Sequence, residues 1–139
     1  MAINKTEAIV LNKRDFRETS IIASFYTRDF GKMTGLLKGI RQEPGKFASA
    51  VEPFSYNEIV FYEKRQSPLH LVSQCDLKKD YRLIKANLER IKKAFLLLEL
   101  IDVLTAEEDR NENIFDLAVS CLEQMDNHCD LDKILITLT

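Results

Sequence analysis

The chain has no tryptophan, only two histidines, and just four glycines, three prolines and three cysteines in 139 residues. So little glycine and proline excludes collagen-like repeats and linker-rich architectures, and 45% hydrophobic residues exclude a disordered chain. Cys75, Cys121 and Cys129 are odd in number and lack C-x-x-C spacing, which suits neither a disulfide framework nor a zinc knuckle, so they read as reduced thiols. No apolar run reaches the roughly 20 residues of a membrane span. The N-terminus MAINKTEAIV also lacks the charged, apolar and small-residue regions of a signal peptide, so the expected address is cytoplasmic with no membrane partner.

Catalytic signatures are missing too. There is no G-x-S-x-G, P-loop or G-x-G-x-x-G, and neither His70 nor His128 has a nucleophile partner in sequence. His128 and Cys129 are adjacent, but a structural zinc site needs four ligands and Cys121 falls on a different predicted element. Glu99 and Asp102, at i and i+3, are candidates for paired carboxylates, with capping or solvated positions as the plainer reading. The expectation is a protein that is not an enzyme and uses no cofactor or metal.

What is present is a charge asymmetry hidden by the net charge of −2. Residues 1–75 carry 11 Lys or Arg against 8 Asp or Glu, and residues 76–139 carry 9 against 14. In the basic half, Lys13, Arg14 and Arg17 form one cluster, and Lys32, Lys38, Arg41 and Lys46 form a second. Such spacing can follow a phosphate backbone.

The periodicity changes where the charge does. Five segments rich in Ile, Val, Phe, Tyr and Thr predict strands at Thr6–Leu11, Ser20–Tyr26, Met33–Lys38, Tyr56–Tyr62 and Leu69–Cys75. In the first, Glu7, Ile9 and Leu11 share one face and Ala8 and Val10 the other, which leaves this strand little exposed surface. Arg28-Asp29-Phe30-Gly31 predicts a hairpin with glycine at a positive φ, and residues 39–53 predict a long loop with Pro44-Gly45 and Pro53. Five short strands with one long connection after the third fit a small Greek-key barrel such as an OB-fold, with an SH3-like barrel as the rival. Ile9, Leu11, Ile21 and Phe25 are the expected barrel formers.

Beyond a boundary at Asp76–Lys79 the period is helical. Ile84, Leu88, Ile91, Phe95, Leu98 and Ile101 recur along one face, and by Leu96, Leu97 and Leu100 the helix is apolar nearly all round, which predicts a sandwiched position. A second helix is expected with Asn113 as N-cap, burying Ile114, Leu117, Ala118, Cys121, Leu122 and Met125. A third is expected from Asp130, with Leu131, Ile134, Leu135 and Leu138 in need of a partner. The absence of a cap or polar tail at Thr139 is the ending expected of an interrupted domain. The expected class is therefore α+β: a five-stranded OB-fold barrel over residues 1–77 and a partial all-helical domain over residues 78–139.

These residues also carry a family likeness. Ala8-Ile9-Val10-Leu11, Arg14-Asp15-Phe16-Arg17-Glu18-Thr19-Ser20, Tyr26-Thr27 with Gly31, Lys38-Gly39-Ile40-Arg41 and Pro53-Phe54 occur in an order that resembles the N-terminal part of the RecO family of bacterial recombination mediators. Leu97-Leu98-Glu99-Leu100-Ile101-Asp102 resembles that family's first long helix. The resemblance implies an N-terminal OB-fold and a helical domain that bind single-stranded DNA and anneal strands coated by single-stranded-DNA-binding protein. It further implies double-stranded DNA as a second ligand, RecR as a partner, an indirect action on RecA and a nucleoid-associated place in the cytoplasm. Members of the family are longer, and many carry a cysteine cluster in a C-terminal half that these 139 residues do not include.

The candidate DNA-binding residues follow. Lys13, Arg14 and Arg17 fall in a predicted loop between strands one and two, where OB-folds commonly contact ligands, with a solvated loop paired to Asp15 and Glu18 as the plain alternative. Gly39 allows close backbone approach or a positive φ, while Lys38 and Arg41 offer a point charge and a planar fork to phosphate oxygens; a simple turn is the alternative. Lys32 and Lys46 complete the cationic set. Exposed rings contribute about 1–3 kcal/mol per stacked base, and Phe16 and Phe47 are the expected stackers because both are predicted in loops among basic residues. Phe25, Phe54 and Phe61 are assigned to the core. A protein–protein adaptor that docks RecR or single-stranded-DNA-binding protein, touching DNA only incidentally, is the competing function.

Overall fold

A computed structural model describes residues 3–43, 45, 47, 49, 51–63 and 67–127. Five strands, β1 (Ile3–Phe16), β2 (Ser20–Thr27), β3 (Gly31–Leu37), β4 (Tyr56–Tyr62) and β5 (Leu69–Lys79), close into a barrel in the order β1-β2-β3-β5-β4. β4 returns antiparallel to β1, and β3 runs parallel to β5 through Thr34–Leu69, Gly35–His70 and Leu36–Leu71. This is the OB-fold, with α1 (Arg82–Lys85), α2 (Leu88–Leu104) and α3 (Glu112–Met125) following it in an α+β chain. The strand order sets the SH3-like alternative aside.

The first strand is longer than its pattern suggested because it continues along β2 after its pairing with β4 ends at Ile9–Tyr56. It remains paired with β2 through Arg14–Ile22 and Phe16–Ser20, so Lys13, Arg14 and Phe16 are strand residues, and the connection is Arg17–Thr19 alone. β5 likewise continues through Asp76–Lys79, the segment read as the boundary.

Alternation along β1 divides the interior in two. Ala8 and Val10 point into the barrel, with Phe25, Met33, Leu37, Phe47, Ile59 and Phe61. Ile9 and Leu11 point outward and are buried under the helices with Tyr26, Phe54, Leu98, Ile101, Phe115 and Leu122. Ile9, Leu11, Ile21 and Phe25, the expected barrel formers, all lie on barrel strands and are buried, but on different faces: Phe25 packs in the barrel core, Ile9 and Leu11 under the helices, and Ile21 outside both clusters. Each large side chain buried in this way contributes about 1.5–3 kcal/mol.

Gly31 closes the β2–β3 hairpin at φ 70, as expected, and a Cβ there would collide with the backbone of Asp109. The α2–α3 connection therefore lies against the hairpin through this gap.

Two asparagines start the long helices. Asn87 accepts from the Arg90 amide at 3.2 Å, and Asn111 accepts from the Ile114 amide at 3.0 Å. The expected cap Asn113 lies inside α3, two residues past the cap that the chain uses. The Asn87 cap also breaks the helical run, so Ile84 belongs to α1 and the buried face of α2 is Ala94, Leu97, Leu98 and Ile101, not the face of Leu88 and Phe95. Leu96, Leu100 and Leu117, expected to be covered, are about half exposed. The helix expected from Asp130 lies outside the described residues.

Ionic contacts lock the helical layer to the barrel. Arg28 pairs with Glu7 at 3.0 Å and with Asp116 of α3, and its guanidinium sits 4.8 Å over the Phe115 ring. The Tyr56 hydroxyl donates to Glu7, and with Arg28 it holds the Glu7 carboxyl below its ordinary value. Burial and the same hydrogen bond push Tyr56 up to about 12. Asp126 accepts from the Leu83 and Ile84 amides, and Arg90 donates to the Met125 carbonyl at 2.8 Å, tying the two ends of the helical layer together.

Replacing Phe47 by Ala removes a core ring and is expected to cost about 3–5 kcal/mol of stability in a urea titration; a loss below about 1 kcal/mol would place that ring outside the core. A depressed carboxylate stabilises the fold above its unfolded pKa of about 4.3 and loses that contribution as pH falls through the folded value. Glu7→Gln should therefore lower the melting temperature at pH 7, with the difference from the unmutated chain shrinking as pH falls below about 4.3 and through the lowered folded value. A difference independent of pH would contradict the ionised network.

Candidate nucleic-acid interface

Lys13, Arg14 and Arg17 meet Lys38 and Arg41 of the second cluster at one end of the barrel. β1 and β2 project there as a hairpin whose tip is Arg17–Thr19, with Arg17 in the left-handed region at φ 56. The chain leaving β3 turns at once, with Gly39 at φ 75, and the Gln42 and Glu43 amides both donate to the Gly39 carbonyl at 3.1 and 3.0 Å. That turn is fastened to the hairpin at two points. The Gly39 amide donates to Ser20 Oγ at 3.2 Å, and the Arg41 amide donates to the Thr19 carbonyl at 3.0 Å. A side chain at position 39 would be strained in this conformation, which supports the conformational half of the expectation for Gly39.

Lys13, Arg14, Arg17, Lys38 and Arg41 are all exposed on this end. Acidic neighbours lie among them: Arg41 pairs with Asp15, and Lys13 lies 3.4 Å from Glu52. Such exposed pairs contribute at most about 1 kcal/mol and exchange readily with another anion. The end of the barrel is thus an exposed cationic rim whose carboxylate partners are weakly held.

Other predicted members are elsewhere. Lys32 lies at the other end of β3 and is spent on the helical layer. Its ammonium lies 3.0 Å from Asp102 Oδ1, 3.0 Å from the Asp102 carbonyl and 3.1 Å from the Thr105 carbonyl, so it neutralises the C-terminus of α2 and is removed from the DNA-binding set. This also accounts for Asp102, which is half of a barrel–helix ion pair and not of a carboxylate pair with Glu99. Phe47 is 5% exposed, so the expectation that it stacks on bases is corrected: its ring packs among the interior side chains of the barrel. Phe16 is half-buried at the hairpin, with the Arg17 guanidinium 5.1 Å over its ring, which leaves it one partly open face. Lys46 lies outside the described residues.

Phe25, Phe54 and Phe61 are buried as expected. No grouping of three or more metal-binding side chains occurs among the described residues. Burial raises the thiols of Cys75, to about 12, and Cys121, so neither is a reactive thiolate. What sequence reading could not reach is the docking of the 38–43 turn on the hairpin. It depends on a carbonyl at Thr19 and a hydroxyl at Ser20, groups that carry no distinctive pattern.

Comparison with known proteins agrees with this architecture. Residues 1–81 match the family model described as "Recombination protein O N terminal", and residues 86–138 match "Recombination protein O C terminal". Among curated relatives, the DNA repair protein RecO of Chloroherpeton thalassium is 35% identical over 123 residues, 88% of this chain and 48% of that protein. RecO of Desulforamulus reducens is 34% identical over 122 residues, and RecO of Syntrophus aciditrophicus is 31% identical over 121 residues; each match covers 47% of the relative, and 88% and 87% of this chain respectively. The chain spans about half the length of the curated relatives it matches. With both family models matching in order along a closed five-stranded barrel and its helices, the chain belongs to the recombination protein O family of DNA repair proteins, and its barrel is that family's N-terminal OB-fold.

Proposed function

We propose that this chain holds single-stranded DNA on the cationic rim of its barrel and serves as a mediator in DNA repair and recombination, without chemistry on the DNA. The observation that carries the reading is the convergence of Lys13, Arg14, Arg17, Lys38 and Arg41 on one end of the barrel, through the hydrogen bonds that fasten the 38–43 turn to the β1–β2 hairpin. Cations held at this spacing neutralise a phosphate backbone and lower the repulsion between two strands, which promotes annealing. Together with the family's identity this reading extends to strands coated by single-stranded-DNA-binding protein, to RecR as a partner in loading RecA, and to double-stranded DNA as a weaker ligand. Sequence preference is slight, because phosphate contacts carry no base information.

One observation favours the adaptor as a second reading. Leu97, Leu100, Ile101, Leu104, Ile114 and Leu117 line an apolar cavity of about 150 Å³ between α2 and α3. Binding by this route would survive high salt, since it depends on apolar contact.

Titration of a labelled oligonucleotide at several salt concentrations separates the two. If about five phosphates are neutralised, log K falls against log salt with a slope of roughly −3 to −4. Reversing Arg14 and Lys38 together to Glu is expected to weaken binding by at least about tenfold and to flatten the slope, with unchanged thermal melting. Absence of binding by the unmutated chain at low salt would overturn the DNA reading. Salt-tolerant capture of RecR or single-stranded-DNA-binding protein, lost on Leu104→Asp, would then favour the adaptor.

A further inference from the structure

At the start of β3, the end of the barrel away from the cationic rim, lies a cavity of about 250 Å³. Met33, Phe61 and His70, all buried, form its inner side with the half-buried Phe30. The Phe30 ring stands edge-on to that of Phe61 at 5.2 Å, and the His70 ring lies 5.6 Å from Phe61. Asp29, Glu63 and Glu108 bring three carboxylates to the lining, against the one guanidinium of Arg110.

The α2–α3 connection supplies one wall and is fixed in place. The Glu108 amide donates to the Lys32 carbonyl at 2.8 Å, Glu108 Oε1 lies 3.2 Å from His70 Nε2, and the Asp109 backbone fills the space beside Gly31. Asp29 accepts from the Thr6 hydroxyl at 2.8 Å. Arg110 pairs with Glu112 and lies 4.0 Å from Asp29. The cavity is therefore preformed, and its negative character continues onto the exposed Glu107, Asp109 and Glu112.

We infer that this cavity is the docking site for an arginine side chain on a basic segment of a partner protein. Size, chemistry and charge select that occupant. The cavity is smaller than the roughly 300–1,000 Å³ that take a drug-sized ligand, and it suits one long side chain. Aromatic rings beside carboxylates match a guanidinium, which is flat, weakly hydrated, at home on an aromatic surface and able to donate to both oxygens of a carboxylate. A lysine ammonium, compact and strongly hydrated, matches the same walls less well. The acidic surface extends past the cavity along the connection, so the occupant belongs to a chain bearing further cations and not to a free amine. The inference is independent of the DNA reading: the cations gathered at Lys38 and the carboxylates gathered at Met33 lie at opposite ends of β3, so one ligand does not exclude the other.

Methyl-labelled methionine reports on the cavity directly, because Met33 lines it and Met125 is buried apart from it under the helices. Titrating the full chain at low salt with a glycine peptide that carries two arginines should move the Met33 methyl resonance saturably and leave that of Met125 in place. The same peptide with citrulline, neutral and of the same shape, should move neither. Glu63→Gln combined with Glu108→Gln should weaken the arginine peptide about tenfold and leave oligonucleotide binding as it is. Glu63→Lys, which lies outside the contacts that fix the wall, should weaken it at least as much by adding a like charge. A Met33 methyl that ignores the arginine peptide, answers the citrulline peptide equally, or responds unweakened in both variants overturns the inference. Agmatine bound as tightly as the peptide overturns the partner in favour of a free amine, and movement of Met33 by oligothymidylate alone overturns it in favour of nucleic acid.

Discussion

The two-sided burial of β1 is the constraint on which the structure depends. Ala8 and Val10 are small enough to face the crowded interior of a five-stranded barrel, while Ile9 and Leu11, one residue out of phase, supply the apolar surface on which the helices rest. A shift of register by one residue would exchange these faces, placing the larger side chains in the narrow interior and leaving the helices little to cover. The same strand then continues along β2 to Phe16 and carries the basic hairpin. One strand therefore ties barrel closure, helix docking and the basic hairpin together.

Charge is sorted along the same axis. Arg28 and Lys32, near the helical layer, are consumed by Glu7, Asp116, Asp102 and the carbonyls that end α2. At the opposite end of the sheet, Lys13 and Arg41 meet the exposed carboxylates of Glu52 and Asp15. The difference is one of geometry: a cation next to a helix C-terminus or a buried face gains fixed partners, and one on a projecting hairpin retains exchangeable ones. The apparent uniformity of the basic half of the chain conceals this division between cations with fixed partners and cations with exposed, exchangeable ones.

Much of the barrel was legible in the residues. Alternation in Ala8–Leu11, the β-branched and aromatic runs, and Gly31 after Asp29-Phe30 located the strands, because a period of two and a positive-φ glycine are local signals. The helical layer was less legible. Its apolar residues are so dense around Leu96–Leu100 that period alone left the buried face undetermined, and the break at Asn87 rotated it. Phe47 was misread for a related reason: an aromatic in a basic loop looks exposed, and only the return of that loop into the barrel shows otherwise. Lys32 could be distinguished from Lys38 only by knowing which end of β3 the helices approach.

Alternation, turn residues and charge asymmetry, all local in origin, by themselves determined that this chain makes a five-stranded barrel with a basic first half and helices after it. Tertiary structure decided which cations meet, which aromatics are hidden and which part of the outer sheet the helices cover. Those outcomes depend on pairings such as Arg41 with Thr19, Lys32 with the end of α2 and Leu36 with Leu71. Such pairings join residues far apart in the chain through backbone groups and sheet register, and none of them leaves a periodic trace in the order of the amino acids.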